Sequence, residues 1–288
     1  MNKPFAPIIL LLILVCLTGC GLGAVPATPT AKPTASPTPP PTATLTSTPA
    51  GCTETQGQVL HLQMPSTLLS KPLTFSIYLP PCYSDHPEAL YPVLYMLHGQ
   101  GFTDDQWVRL GATQAADQLI SSGQARPFLI VMPYEENSTL SDPNTSHFGD
   151  ALVSELVPWI DAHYPTCSQR ICRAIGGSSR GAAWAVRIGL THPALFAFIG
   201  AHSLPPFIGD LYQAEYWLRD IPAGQMPQLY LDIGRSDMYM PDARRFEQVL
   251  SDHHVPHVWL LNNGSHDEVY WGAHVTEYMQ WYVSNWGK

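Results

Sequence analysis

The chain is poor in charge, and in positive charge above all. Only 13% of its 288 residues are charged, and 14 Lys and Arg stand against 23 Asp and Glu, for a net charge of −9 and a pI near 5.7. No basic stripe runs through it, so the electrostatic footprint of a nucleic-acid partner is missing. The apolar run Ile8 to Leu17 is half of the ~20 residues a membrane-crossing helix needs. No CxxC pair occurs, which leaves a zinc site without its usual ligand spacing. No internal repeat and no second domain pattern is visible, which excludes a repeat architecture.

What is present begins with an export signal. Lys3 precedes the short apolar run, the order of a secretory signal. Leu17-Thr18-Gly19-Cys20 follows and resembles the lipobox of bacterial lipoproteins. That resemblance implies a signal peptide over residues 1–19, lipid on the Cys20 sulfur and anchoring to the outer face of a bacterial cell membrane. Residues 20–50 are mostly Pro, Thr, Ala and Ser. Such a segment cannot bury a core and favours extended geometry, so it is expected to be a disordered tether. Residues 51–288 remain, a normal length for a single α/β domain.

Six cysteines are present. Cys16 leaves with the signal and Cys20 carries the lipid. Cys52, Cys82, Cys167 and Cys172 are left, and an even number in an exported domain points to two disulfides. Three pairings are open. The preferred one joins the sequence-local Cys167 and Cys172 and, by remainder, Cys52 and Cys82.

Two segments, residues 58–64 and 73–79, alternate apolar and polar as half-exposed antiparallel strands do. Later runs at 93–97, 128–132, 173–177, 197–201, 229–233 and 257–261 are nearly continuous, as in strands covered on both faces. Helical patterns fill gaps between them at 113–122, 150–164, 180–191, 242–252 and 268–286, with Pro158 expected to kink the second. The alternation predicts an α/β fold with a mostly parallel central sheet flanked by helices.

Within "RAIGGSSRGAAWA", residues 173–185, the pentad G-x-S-x-G fits only Gly177-Ser178-Ser179-Arg180-Gly181, so Ser179 holds the centre. A strand before it and a helix after it are the context of a nucleophile elbow. The backbone N–H of Arg180 then becomes one oxyanion donor. A serine needs a base, and the base an orienting acid, in the chain order Ser, Asp, His for this fold. Asp237 lies past the 229–233 strand and His266 past the 257–261 strand, both at strand carboxyl ends. Asp232, Asp242, His253, His254 and His257 compete, but each reads better as structural: inside a strand, at a helix end or at a strand start. The second oxyanion donor is expected from the loop after 93–97, Gln100 first and Gly101 second. Trp107, Tyr134, Trp217 and Trp271 are candidate substrate contacts; Tyr134 and Trp217, with Phe207 and Tyr216, lie in two segments expected to be specificity loops, 133–148 and 203–220.

The segments "YPVLYMLHGQGFTDDQW", "GGSSRGAAWAVRIGLTHPALFAFIGAHS", "LDIGRSD" and "GSHDEVYW" resemble an esterase family of the α/β-hydrolase fold. It includes feruloyl and acetyl xylan esterases, S-formylglutathione hydrolases, siderophore esterases and mycobacterial mycolyltransferases. The resemblance implies Ser179, Asp237 and His266 as a triad and no large lid domain. One departure is Arg180-Gly181-Ala182, where many members carry Met-Gly-Gly. The expected activity is hydrolysis of carboxylic esters through an acyl-enzyme, on a small-molecule or glycan ester with a feruloyl or acetyl group. It needs neither metal nor cofactor. The alternatives are acyl transfer to a sugar acceptor and a tethered, non-catalytic glycan-binding module.

Overall fold

A computed structural model of the chain describes residues 53–286 except residue 140. Cys20, Cys52, the signal and the tether lie outside the described residues.

Eight strands form one sheet: β1 (Gln58–Met64), β2 (Leu73–Leu79), β3 (Val93–Leu97), β4 (Leu129–Pro133), β5 (Arg173–Ser178), β6 (Phe198–His202), β7 (Gln228–Gly234) and β8 (His257–Asn262). Their spatial order is β1-β2-β4-β3-β5-β6-β7-β8. β1 pairs antiparallel with β2, and β2 with β4; all pairs from β4 to β8 are parallel. The apolar strands β3, β4 and β6 are buried along their whole length. The edge strand β8 alternates, with Val258 and Leu260 turned to solvent.

Helices cover both faces. On one, α1 (Gln106–Arg109), α2 (Ala112–Ser121) and α8 (Glu268–Ser284) pack Trp107, Ala116, Leu119, Tyr278 and Tyr282 against the sheet. On the other, the segment from α3 (Phe148–Ala151) to α4 (Val157–His163) joins α5 (Arg180–Thr191), α6 (Asp210–Asp220) and α7 (Met240–Asp252) around Leu156, Val186, Leu218 and Phe246.

Two expectations change. The helix around Pro158 is not simply kinked: residues Leu152–Leu156 between α3 and α4 adopt π-helical geometry, and Pro158 falls in the first turn of α4. Proline has no N–H to return to the preceding turn, and the wider register upstream lets the helix continue past it. The segment 203–220, expected as loop, ends in α6. Its signal was Leu211, Ala214 and Leu218 at helical spacing, diluted by charged and aromatic neighbours that stay outside. Cys167 and Cys172 are disulfide-bonded, with Cα atoms 5.8 Å apart. Cys82 is disulfide-bonded as well; its expected partner lies outside the described residues.

Candidate active site

The carboxyl ends of β3, β5, β7 and β8 meet along one edge of the sheet, and each delivers one loop. After β5 the chain turns sharply into α5. Ser179 sits in that turn with φ 53° and ψ −120°, a strained conformation for a residue with a side chain. Its N–H donates to His202 O at 2.9 Å. The flanking glycines serve close approach: a Cβ on Gly177 would lie 2.6 Å from Leu97 O, and one on Gly181 2.2 Å from the same atom. The end of β3 therefore presses directly on the elbow. Ser178 is fully buried and points toward Gln106, so the two adjacent serines have different surroundings.

The loops after β7 and β8 bring the other groups to Ser179. His266 Nε2 accepts from the Ser179 hydroxyl at 2.8 Å, and its Nδ1–H donates to Asp237 Oδ2 at 2.8 Å. Asp267 caps α8 by accepting from the Tyr270 N–H at 2.9 Å, which places His266 just outside the helix. Asp237 Oδ1 accepts from the Tyr239 N–H at 2.8 Å. Burial alone would raise the Asp237 carboxyl. Hydrogen bonds from His266, the Tyr239 N–H and the Ser203 hydroxyl outweigh it and hold the group below the ordinary carboxylate range.

The competing residues are placed elsewhere. Asp232 is buried within β7, accepting from His202, Tyr270 and Tyr278 at 2.7 Å each. Asp242 pairs with Arg245 in the first turn of α7. His253 and His254 follow that helix's C-terminus, and His257 opens β8.

Gln100 and Arg180 both line the cavity that Ser179 borders. Arg180 is the first residue of α5, so its N–H has no intrahelical acceptor. Gln100, in the loop after β3, lines the cavities on both sides of Ser179. Among the described residues its N–H has no partner, whereas Gly101 N–H is engaged by Ser138 Oγ at 3.0 Å. The Arg180 side chain does not enter the cavity as a free cation. It forms two bonds with Glu135, Nε to Oε2 at 2.7 Å and Nη2 to Oε1 at 2.6 Å.

A cavity of about 380 Å³ is bounded by Ser179, Arg180, Asn144, Pro206, Phe207 and Ile208. A more open one of about 630 Å³ is bounded by Ser179, His266, Phe102, Thr139, Val269 and Trp271. Both share Gln100 and Tyr239.

Of the aromatic candidates, Phe207 lines the first cavity, as its loop position allowed. Trp271 borders the second but is almost wholly buried, packing edge-on to His266 at 5.2 Å with its indole N–H on Ser203. Trp107 is a correction: it is a core residue whose N–H donates to Leu97 O at 2.9 Å. An apolar surface under β3 was there for it to fill. Tyr134 lines a separate cleft with Lys71 and Glu136, because the chain turns away after β4. Trp217 lies on α6 beside a neighbouring cleft that shares only Asn144 and Ile208 with the first cavity. Sequence reasoning missed Tyr239, which packs on His266 at 4.8 Å, and Glu135. A buried arginine at an elbow requires a carboxylate, but nothing in one sequence says which.

The sequence pattern of the Esterase family, described as "Putative esterase", matches residues 66–284. The chain belongs to this family. Its relatives include an endo-1,4-beta-xylanase/feruloyl esterase of Xylanibacter ruminicola, 30% identical over 173 residues, 56% of this chain and 24% of that protein. This chain thus matches about a quarter of that relative's length. An acetyl esterase of Caldicellulosiruptor saccharolyticus is 23% identical over 223 residues, 65% of this chain and 82% of the other. A solved ferulic acid esterase superposes with a TM-score of 0.69 at 23% identity, covering 80% of this chain and 99% of that one. That likeness fixes the α/β-hydrolase fold, and among the described residues no large lid domain interrupts it.

Proposed function

We propose that this member of the esterase family is an extracytoplasmic, lipid-anchored serine hydrolase of carboxylic esters, acting on carbohydrate-linked aryl-acyl groups. The observation that carries the reading is the unbroken Ser179–His266–Asp237 relay, two bonds of 2.8 Å each. It favours an enzyme over a binding module, which has no use for a strained serine held against an oriented imidazole.

In the reaction Ser179 Oγ attacks the acyl carbon while its proton passes to His266 Nε2. Asp237 holds the ring and stabilises its cation. The N–H groups of Arg180 and Gln100 take the oxyanion. On collapse the carbon–oxygen bond to the alcohol breaks, and His266 returns the proton to the departing alkoxide. Water, deprotonated by His266, then attacks the acyl-enzyme; its collapse frees the acid and restores Ser179.

The proton return assigns the two cavities. The alcohol must leave beside His266, which borders only the larger, open cavity. The acyl group then occupies the smaller one, against Pro206, Phe207 and Ile208. An acetyl group would occupy only a small part of that space, whereas a ring with a short unsaturated arm occupies several times more of it. Feruloyl-type esters therefore come before acetyl esters. The open mouth on the alcohol side suits a sugar, as donor for hydrolysis or, in the transferase alternative, as acceptor.

The test compares methyl ferulate with 4-nitrophenyl acetate on residues 51–288, with active sites counted by a fluorophosphonate. One phosphonate bound per chain and a higher kcat/KM for the ferulate are expected. Absence of labelling removes the serine mechanism; a clear preference for acetate removes the acyl assignment.

A further inference from the structure

Arg180 has two roles that its sequence position does not distinguish. Its N–H is one of the two proposed oxyanion donors, and its side chain is buried with Glu135, at 8% and 4% side-chain exposure. The carboxylate is fully engaged: Trp184 Nε1–H donates to Oε2 at 3.0 Å and the Ser141 hydroxyl to Oε1 at 3.0 Å. The guanidinium in turn donates from Nη2 to Ser141 O at 3.1 Å and to Ser141 Oγ at 2.8 Å. Phe207, the aromatic wall of the acyl cavity, lies 5.3 Å from the guanidinium carbon.

Glu135 also reaches the second donor. Its N–H donates to His98 Nε2 at 2.9 Å, and His98 Nδ1–H donates to Gly99 O at 2.7 Å. Gly99 precedes Gln100. One residue in the loop after β4 thus holds the side chain of the residue bearing the first oxyanion donor and the loop bearing the second. Through Ser141 it also fixes the segment whose Thr139 borders the alcohol cavity and whose Asn144 borders the acyl cavity.

We propose that the buried Glu135–Arg180 pair is a positioning clamp that sets the two oxyanion donors at their working separation and, through Ser141, fastens Thr139 and Asn144 as walls of the two substrate cavities. The inference rests on the serine-esterase reading above. Neither residue touches the reacting atoms through its side chain; both act through the backbone they hold. A shift of oxyanion donors impairs the transition state more than substrate binding, so the signature is a fall in kcat rather than a rise in KM for a small ester.

Three variants separate positioning from stability. Arg180→Met leaves Glu135 buried without its cation and should lower the melting temperature by roughly 10 °C. The double variant Arg180→Met/Glu135→Gln removes both charges, and its glutamine oxygen still accepts from Trp184. It should regain most of that loss, yet keep kcat on 4-nitrophenyl acetate about 10- to 100-fold below the parent, per site competent for phosphonate labelling. Arg180→Lys retains the charge but not the two-pronged geometry. It should fold, lose about 10-fold in kcat on acetate at little-changed KM, and raise KM for methyl ferulate as the loop wall loosens. If the double variant recovers both melting temperature and kcat, the pair is only structural and the inference falls. If it does not fold, Arg180→Lys decides, and a parental kcat there overturns the inference. Ser179→Ala runs alongside: turnover surviving in that variant defeats the catalytic reading itself, whatever the clamp variants do.

Discussion

Ser178 and Ser179 are neighbours with opposite fates. Ser179→Ala should lower kcat on an activated ester by about 10⁴-fold or more, while Ser178→Ala, which removes a buried hydroxyl 3.4 Å from Gln106, should keep most activity. Steady-state rates at matched folded concentration decide, and the reverse ranking would move the nucleophile by one residue. The two aspartates contrast in the same way. Asp237→Asn should cost about 10³- to 10⁴-fold in kcat with the fold intact, because the imidazole loses its acceptor and its charge partner. Asp232→Asn should chiefly destabilise, by about 3 kcal/mol or more, since His202 and two tyrosines depend on it. Acid separates them further. The Asp237 carboxyl is held below its ordinary value when folded, so its contribution to stability is complete above the unfolded value of about 3.9 and is lost as pH falls through the folded one. The stability gap between the parent and Asp237→Asn in urea should therefore narrow as pH falls below about 4. A gap that keeps widening below that pH contradicts the assignment.

At the scale of elements, the site depends on how closely β3 approaches the turn between β5 and α5. Gly181→Ala directs a methyl at Leu97 O, a backbone atom that cannot move without displacing the strand. It should abolish activity and lower stability markedly. Gly189→Ala, farther along α5, meets the Ile199 side chain at 2.4 Å; that side chain can rotate, so the cost should be smaller. Thermal melts and phosphonate labelling of both variants test the order. The loop before α6 walls the proposed acyl cavity. Phe207→Ala should lower kcat/KM for methyl ferulate by about 10- to 100-fold, the scale of lost apolar pocket contacts, and leave 4-nitrophenyl acetate within a few-fold. Equal losses on both esters would place the aryl group elsewhere.

For the whole molecule, the proposed attachment is covalent rather than electrostatic. A chain of net charge −9 is repelled by an anionic bilayer, so high salt should not release it. Cys20→Ala should abolish lipid labelling and release an active domain. Membrane fractions that retain the Cys20→Ala protein would rule out the anchor. The catalytic unit itself should be indifferent to the tether, since every residue of the proposed site lies beyond residue 97.

The sequence by itself determined the eight strands, most of the helices and the three residues of the relay. Strand burial follows from local apolar patterning, and the pentad, the strand-end loops and the chain order Ser, Asp, His are all linear features. It also separated Asp237 from Asp232, because a strand interior and a strand-end loop differ in their neighbours along the chain. Only the tertiary structure decided that Gln100 rather than Gly101 has an N–H without a partner among the described residues, that Trp107 and Tyr134 leave the site, and that Tyr239 enters it. Those outcomes depend on which surfaces the sheet order brings together. Arg180 shows the difference most clearly. Its place in the pentad is legible, but its side-chain partner, Glu135, stands 45 positions earlier. The need to neutralise a buried guanidinium is local, whereas the carboxylate that meets it is chosen by the pairing of β4 beside β3 and β3 beside β5.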